Sequence, residues 1–317
     1  MHTSVFFKIF PPPKLILMEY SGLDISDDAI RCLRYVKNSK TMHVAQFGEA
    51  ALPAGIVSGG DIKDEKAFLG ELTKFNGKKN LRYVKVSIPE EKSYLFQTEV
   101  PVDSLHAISQ NIESKLEENV PLPAPEVVFY FDLLPLSVTK GVLKASVSVV
   151  PRVYVESMIS MVDRAGMRAV AFEVVPKAVA RATISSLDTG TMMIINSMNE
   201  KTGIYVVSAG VVCFTSTVPS GEKDGDLGAN LGKEINRVYE YWTSHSTSET
   251  DIKQIILVGG KSLSIEKTVK KILSASRIEV VVGNVWRNAF SLDKYIPPIS
   301  MEDSLDYAAA SGLAIES

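Results

Sequence analysis

Few residues in this 317-residue chain are spaced for chemistry. Gly260-Lys261-Ser262 follows the apolar run Ile255-Ile256-Leu257-Val258, which invites a phosphate-loop reading. That motif also needs a glycine five positions before Gly260, and Ile255 stands there, so the loop could not curl its amides around a phosphate. No glycine-rich dinucleotide fingerprint opens a strand–helix unit, and there is no Gly-x-Ser-x-Gly nucleophile elbow. Asp27-Asp28 reads as a solvated turn, because adjacent carboxylates on a turn diverge. His2, His43, His106 and His245 are too scattered to form a metal-ligand set. Cys32 and Cys213 allow one pair at most, which is no disulfide framework and fits a reducing, intracellular compartment.

The elements that would position such residues are more legible. Composition is that of a folded protein, with 45% hydrophobic and 22% charged residues, and the length suits about two domains. Formal net charge is -3, which argues against a dedicated nucleic-acid binder. No segment reaches the roughly 18 apolar residues of a membrane span. The N-terminus carries Val5, Phe6, Phe7, Ile9 and Phe10 around Lys8, then Pro11-Pro12-Pro13. It reads as an apolar tail over residues 1–13 that docks on the protein or stays disordered, or else meets a membrane surface or a partner.

A candidate strand follows at Lys14–Met18. Alternation then predicts strands around Tyr20–Ile25, Ile30–Tyr35 and Met42–Phe47. Phe68, Leu72 and Phe75 stand at helical spacing. Arg82–Ile88, Tyr94–Val100, Glu126–Leu134, Val142–Val150 and Ala169–Val174 read as strands. Asp103 is the expected cap of a helix carrying Leu105, Ile108, Ile112 and Leu116. Val155, Met158, Ile159 and Val162 mark another helix. The second half repeats the opening: strands at Thr191–Asn196, Gly203–Val207 and Gly210–Val218, then a charged loop from Ser220 to Asp226. A helix through Leu231 and Trp242, the strand ending at Val258, a helix through Ile265 and Val269, and the strand Glu279–Val282 complete it. A small-residue helix spans Leu305–Ile315. Two related halves of strands and helices predict an α/β architecture.

Each half carries a strand, an Asp- or Asn-containing turn and a returning strand, and a late strand ends in Val258-Gly259-Gly260. This layout resembles that of actin-like ATPases. Specific stretches sharpen it: Gly22-Leu23-Asp24-Ile25-Ser26, Leu52-Pro53-Ala54-Gly55, Gly59-Gly60-Asp61-Ile62, Ser87-Ile88-Pro89-Glu90 and Pro176 to Ala182. Lys233-Glu234-Ile235-Asn236-Arg237, Gly283-Asn284-Val285-Trp286 and Ala308 to Ala314 continue it. In this order and spacing, over nearly the whole chain, they resemble the PilM family of type IV pilus assembly proteins, relatives of the actin-like division protein FtsA.

The resemblance implies an actin-like ATPase fold of two RNase H-like halves with an inserted subdomain, 1C, in place of actin's 1B. By order of elements, residues 14–94 are the first half, 95–173 the insert, and 174–317 the rest of the first half and the second half. Family members sit on the cytoplasmic face of the inner membrane and bind a short N-terminal tail of the membrane protein PilN in a groove beside the insert. Some bind ATP. The residues that map to the nucleotide site are Asp24, Ser26, Asn196, Thr202, Gly259, Gly260, Lys261 and Ser262.

Those positions depart from the family's pattern. Ser26 replaces the glycine of the first phosphate loop, and Asp27 takes the hydroxyl position, bringing a negative charge toward phosphate. Asn196, Ser197 and Met198 stand in the second loop, and an amide cannot hold hydrated magnesium as a carboxylate does. The stretch from about Val218 to Ala229 is too short for the helices of a full 2B subdomain, so a reduced 2B is expected. The expectation is therefore a non-catalytic scaffold without a cofactor, binding ATP and magnesium only if the remnant site still holds them, with no other metal and no nucleic acid. It would contact the membrane indirectly, through a PilN-like tail held in a groove that the insert's strands Glu126–Leu134 and Val142–Val150 border. Self-association is left open. Two alternatives belong to other classes: a working ATPase using Asp24, Asn196, Thr202 and Gly260, and an FtsA-like membrane-associated filament.

Overall fold

In the computed structural model, which describes residues 19–38, 41–134, 141–219, 227–245, 251–274, 276 and 278–315, strand β1 (Ser21–Ile25) is buried at every position. A strand buried on both faces reads as an unbroken apolar run, and Leu23 and Ile25 sit on opposite ends of that rule from Asp24. β1 returns through a turn at 26–28 into β2 (Ala29–Asn38), which pairs with β3 (Thr41–Ala51). A two-residue hairpin, β4 (Val57–Ser58) and β5 (Asp61–Ile62), leads to helix α1 (Glu65–Lys79). Asp64 caps α1 by accepting from the Ala67 amide, and Phe68, Leu72 and Phe75 bury its inner face. Each such side chain contributes about 1.5–3 kcal/mol relative to exposure.

β6 (Tyr83–Ile88) and β10 (Arg168–Val174) then add in parallel, giving the order β10-β6-β1-β2-β3. The second half builds the same sheet from β11 (Thr191–Ser197), β12 (Lys201–Ser208), β13 (Val211–Pro219), β14 (Ile252–Val258) and β15 (Glu279–Val282), in the order β13-β12-β11-β14-β15. Each sheet is a three-stranded antiparallel meander whose first strand gains one parallel neighbour, which in turn pairs with a second parallel strand. β13 ends at Pro219 and helix α6 begins at Leu227 (Leu227–His245), so residues 220–226 are the whole connection expected to hold 2B.

The insert is smaller than its expected span of 95–173. A separate sheet, β7-β9-β8, comprises β7 (Tyr94–Pro101), β8 (Val127–Leu133) and β9 (Val142–Pro151). Helices α2 (Leu105–Glu113) and α3 (Leu116–Asn119) cover it, through Ile108, Ile112 and Leu116. Helix α4 (Arg152–Arg164) buries Met158, Met161 and Val162 in the core of the first half, and β10 pairs with β6. Both therefore belong to the first half. The cap of α2 also differs: Asp103 accepts from the Ser104 amide at 2.6 Å, which leaves the Ser104 hydroxyl to cap Ala107.

Helix α5 (Val175–Thr183) and the closing helices α8 (Met301–Ser304) and α9 (Ala308–Ala314) bind the halves together. Ala and Gly on α9 allow close approach: a Cβ at Gly312 would meet the Ala178 carbonyl oxygen of α5 at 1.7 Å. Helix α7 (Ser262–Ile272) packs on the second sheet. The expected tail 1–13, the candidate strand Lys14–Met18, the loop Ser220–Asp226 and residues 316–317 lie outside the described residues.

Cys32 and Cys213 are buried in the sheets as free thiols, and burial pushes each pKa up to about 12. Thiolate is the reactive form. Native protein at pH 8 is expected to resist alkylation by iodoacetamide, with both thiols labelling together in urea. Stoichiometric labelling of the native chain would contradict this burial.

Candidate functional site

The register of the first hairpin places Asp24 opposite Arg31. Arg31 is 3% exposed and stands among acids: Glu49 at 3.1 Å, Asp28 at 3.8 Å and Asp306 at 3.9 Å. Its Nη1 also donates to the Ser26 hydroxyl at 3.3 Å. Burial opposes the Arg31 charge, but Glu49, Asp24, Asp306 and Asp28 outweigh it and hold the guanidinium more firmly protonated than usual. Asp24 shows the opposite balance. Burial lifts its carboxyl above the usual range, against the pull of Arg31 and a Ser87 hydrogen bond. Burial likewise lifts Asp306. Burial works against Asp28 too, but hydrogen bonds from Ser26 and Asn199 and the Arg31 charge bring its carboxyl below the usual range.

Four links cross from the first half to the second around this centre, three side by side and one beneath them. Asn199 donates to Asp28 at 2.6 Å. Lys201 reaches Glu91 at 2.5 Å. The Gly260 amide donates to Asp306 at 2.8 Å. Beneath them, Asn196 donates to the Tyr205 hydroxyl at 3.4 Å, which donates to Glu90 at 3.1 Å. Tyr205 reaches there by lying along its own strand over Gly203, where a Cβ would meet its hydroxyl at 2.2 Å. Gly259, at φ 85°, turns against the Ser197 carbonyl oxygen, where a Cβ would sit at 2.3 Å.

Of the sequence-predicted positions, Asp24, Ser26 and Asn196 line one cavity with Met198, Lys201 and Asp306. Thr202 bonds Ser197 at 3.1 Å, and the Lys261 amide donates to the Ser197 carbonyl at 3.0 Å; both residues, with Gly259, Gly260 and Ser262, stay outside that lining. The cavity measures about 30 Å³, space for one or two waters. Asp28 and Asp306 of this centre face the Arg31 guanidinium. Arg31, Glu90, Lys201, Tyr205 and Asp306 were not among the expected site residues. Arg31 could have been found: pairing Ile25 with Ile30 across the Ser26–Asp28 turn places Asp24 and Arg31 side by side.

A second concavity, about 550 Å³, lies between the insert and the first half. Strands β8 and β10 border it, and each is the last strand of its sheet. Val128, Phe129 and Val150 come from the insert, with Phe172 and Val174 from β10. Two ion clusters punctuate the apolar lining. Lys177 holds Asp132 at 2.8 Å and stands 3.8 Å over the Tyr130 ring. Glu173 bridges Lys85, at 2.9 Å, and Arg181. Burial opposes ionisation of Glu173, but Arg181 and Lys85 outweigh it and lower its pKa. The expectation that Glu126–Leu134 and Val142–Val150 both border a groove holds for β8. β9 is the central strand with both edges paired, so it supplies only wall residues, and β10 supplies the second edge.

Two duplicated five-stranded sheets around a cleft, with a three-stranded sheet inserted in the first, define a protein of the actin-like ATPase fold. The chain belongs to a particular family within it, the type IV pilus assembly protein PilM, whose sequence profile matches residues 22–223. Among solved structures it is similar to one described as a PilM-PilN type IV pilus biogenesis complex, at 19% identity and a TM-score of 0.75. That match covers 94% of this chain and 98% of the other. It is also similar to the ethanolamine utilization protein EutJ from Carboxydothermus hydrogenoformans, at 14% identity and a TM-score of 0.50, covering 96% and 90% of the two chains. No curated protein is similar enough in sequence to match.

Arg31→Met is expected to cost about 3–5 kcal/mol at pH 7, because it strands buried carboxylates without a countercharge. Asp24 and Asp306 already bind protons more readily than exposed aspartates. Native protein of the variant then holds more protons than its unfolded chain, so its stability rises as pH falls. Urea midpoints should show a smaller deficit at pH 5 than at pH 7, and an equal deficit at both would count against this reading.

Proposed function

We propose that this chain is a non-catalytic scaffold of a type IV pilus, or related secretion, platform at the cytoplasmic face of the inner membrane. It holds the cytoplasmic N-terminal tail of a PilN-like protein as an extended strand in the groove between β8 and β10. The observation that carries the reading is the pair of sheet edges facing one apolar groove. An edge strand offers a row of backbone donors and acceptors to a further strand, and alternate side chains of that strand would enter the pockets between. Family membership and the likeness to a PilM-PilN complex support the choice of partner. No helix of the described residues is long and apolar enough to cross a membrane, so a platform role would run through an embedded partner.

The cleft supports the non-catalytic part of the reading. Its 30 Å³ of space, its Arg31 countercharge and its four cross-links between halves favour a closed cleft over a nucleotide-filled one. A working ATPase would have to break these links to admit substrate.

The test uses fluorescein-labelled peptides spanning the N-terminal cytoplasmic tails of membrane proteins encoded beside this chain. One of them should bind in the micromolar range by anisotropy. Ala171→Glu places a charge at an exposed groove position and is expected to weaken it at least tenfold with unchanged circular dichroism. Binding by the intact chain that survives Ala171→Glu and Tyr130→Ala would move the partner elsewhere. Calorimetry with ATP and magnesium should show no binding heat, and micromolar binding with turnover would restore the ATPase reading.

A further inference from the structure

We propose that residues 3–10 of this chain occupy the β8–β10 groove in cis, so that the partner's tail must displace an internal competitor. The inference rests on the reading of that groove as a peptide site.

The sequence from Thr3 to Phe10 is Thr-Ser-Val-Phe-Phe-Lys-Ile-Phe. Val5, Phe7 and Ile9 fall on one face of an extended strand, and Phe6, Lys8 and Phe10 on the other. A strand laid between two edges over an apolar floor buries one face, and Val5, Phe7 and Ile9 give it an uninterrupted apolar face. Val128, Phe129, Phe172 and Val174 provide such a lining. Lys8 is the one charge of the segment; the groove's carboxylates, Asp132 and Glu173, are already paired with Lys177, Lys85 and Arg181, so apolar contacts and backbone pairing would carry the docking. Pro11-Pro12-Pro13 cannot donate to a ladder, so pairing would stop at Phe10.

The tether geometry is favourable. Residues 1–18 lie outside the described residues, and the described chain begins at Glu19. Ser21 opens β1 and pairs with Val84 of β6, which pairs with Ala169 of β10. The entry point is thus two strand spacings, about 10 Å, from the edge that borders the groove. Residues 11–18 span up to about 26 Å when extended, enough to cross that gap and run along β10. A short tether gives a local concentration in the millimolar range, so a cis segment with an intrinsic Kd near 0.1 mM would weaken the partner about tenfold.

The test keeps the chain at full length. Phe7→Asp with Ile9→Asp removes the apolar face of the segment without touching the groove. The probe is a fluorescein-labelled peptide of residues 3–13 of this chain, followed by anisotropy. The double variant is expected to bind it at least fivefold more tightly than the unaltered chain, and adding Ala171→Glu to the double variant should abolish the gain. Equal affinity of the two chains for the probe overturns cis occupancy. If the partner tail still binds both chains in a manner sensitive to Ala171→Glu, the groove reading survives that failure; if no tail binds either chain, both fall. A dimer in light scattering that the double variant dissolves overturns the cis form in favour of exchange between copies. Co-sedimentation with phosphatidylglycerol vesicles that the double variant loses, with the probe affinity unchanged, overturns it in favour of a membrane contact.

Discussion

A buried arginine must be surrounded by acids or leave the interior, and the placement of Arg31 organises much of this molecule. It fixes the first hairpin through Asp24, the outer strand through Glu49, and the closing helices through Asp306. Asp306 in turn takes the Gly260 amide of the second half. One guanidinium thereby links the β1–β2 turn to the turn after β14 through a single intermediate. In a low-dielectric setting such a cluster is costly unless complete, which favours one closed arrangement of the two halves over a range of openings. The proposed scaffold role agrees with a cleft of fixed width.

The fold was largely legible because it is periodic. Both meanders, the helix carrying Phe68, Leu72 and Phe75, and the strand ending at Val258 follow from alternation or helical spacing. The errors have physical causes. α4 and β10 follow the insert in sequence but return to the first sheet, and a parallel pairing across a long crossover leaves no local mark. Asp103 and Ser104 both suit a cap, and only geometry decides which side chain reaches the free amide. α5 is not legible as a helix because Val175–Thr183 offers only about two and a half turns in which a helical spacing can repeat.

The site was less legible. Asp24, Ser26 and Asn196 do meet in one cavity, but the charged residues that fill it come from elsewhere: Glu90 from a short turn, Lys201 from the start of β12, Asp306 from the closing segment. Long-range juxtapositions of this kind have no spacing rule. The groove is harder still, since an edge is defined by what fails to pair beside it. Glu126–Leu134 read correctly as a strand, yet nothing in its residues separates an edge from a centre, and β9 reads the same way.

Helix α9 carries a consequence for how the chain is made. It packs on α5 and against β1, where a Cβ at Gly22 would meet the Ala310 carbonyl oxygen at 2.1 Å, so it completes a layer begun at Ser21. During synthesis, well over a hundred residues separate α5 from α9. At ribosomal speeds of about 5–20 residues per second, the nascent first half waits on the order of 10 s with that seam uncovered. The small side chains that make the final joint tight also make the waiting surface modest in apolar area, which limits its attraction for other nascent chains. Assembly of the first half is thus a late event in translation, timed by the arrival of a helix built from alanine and glycine.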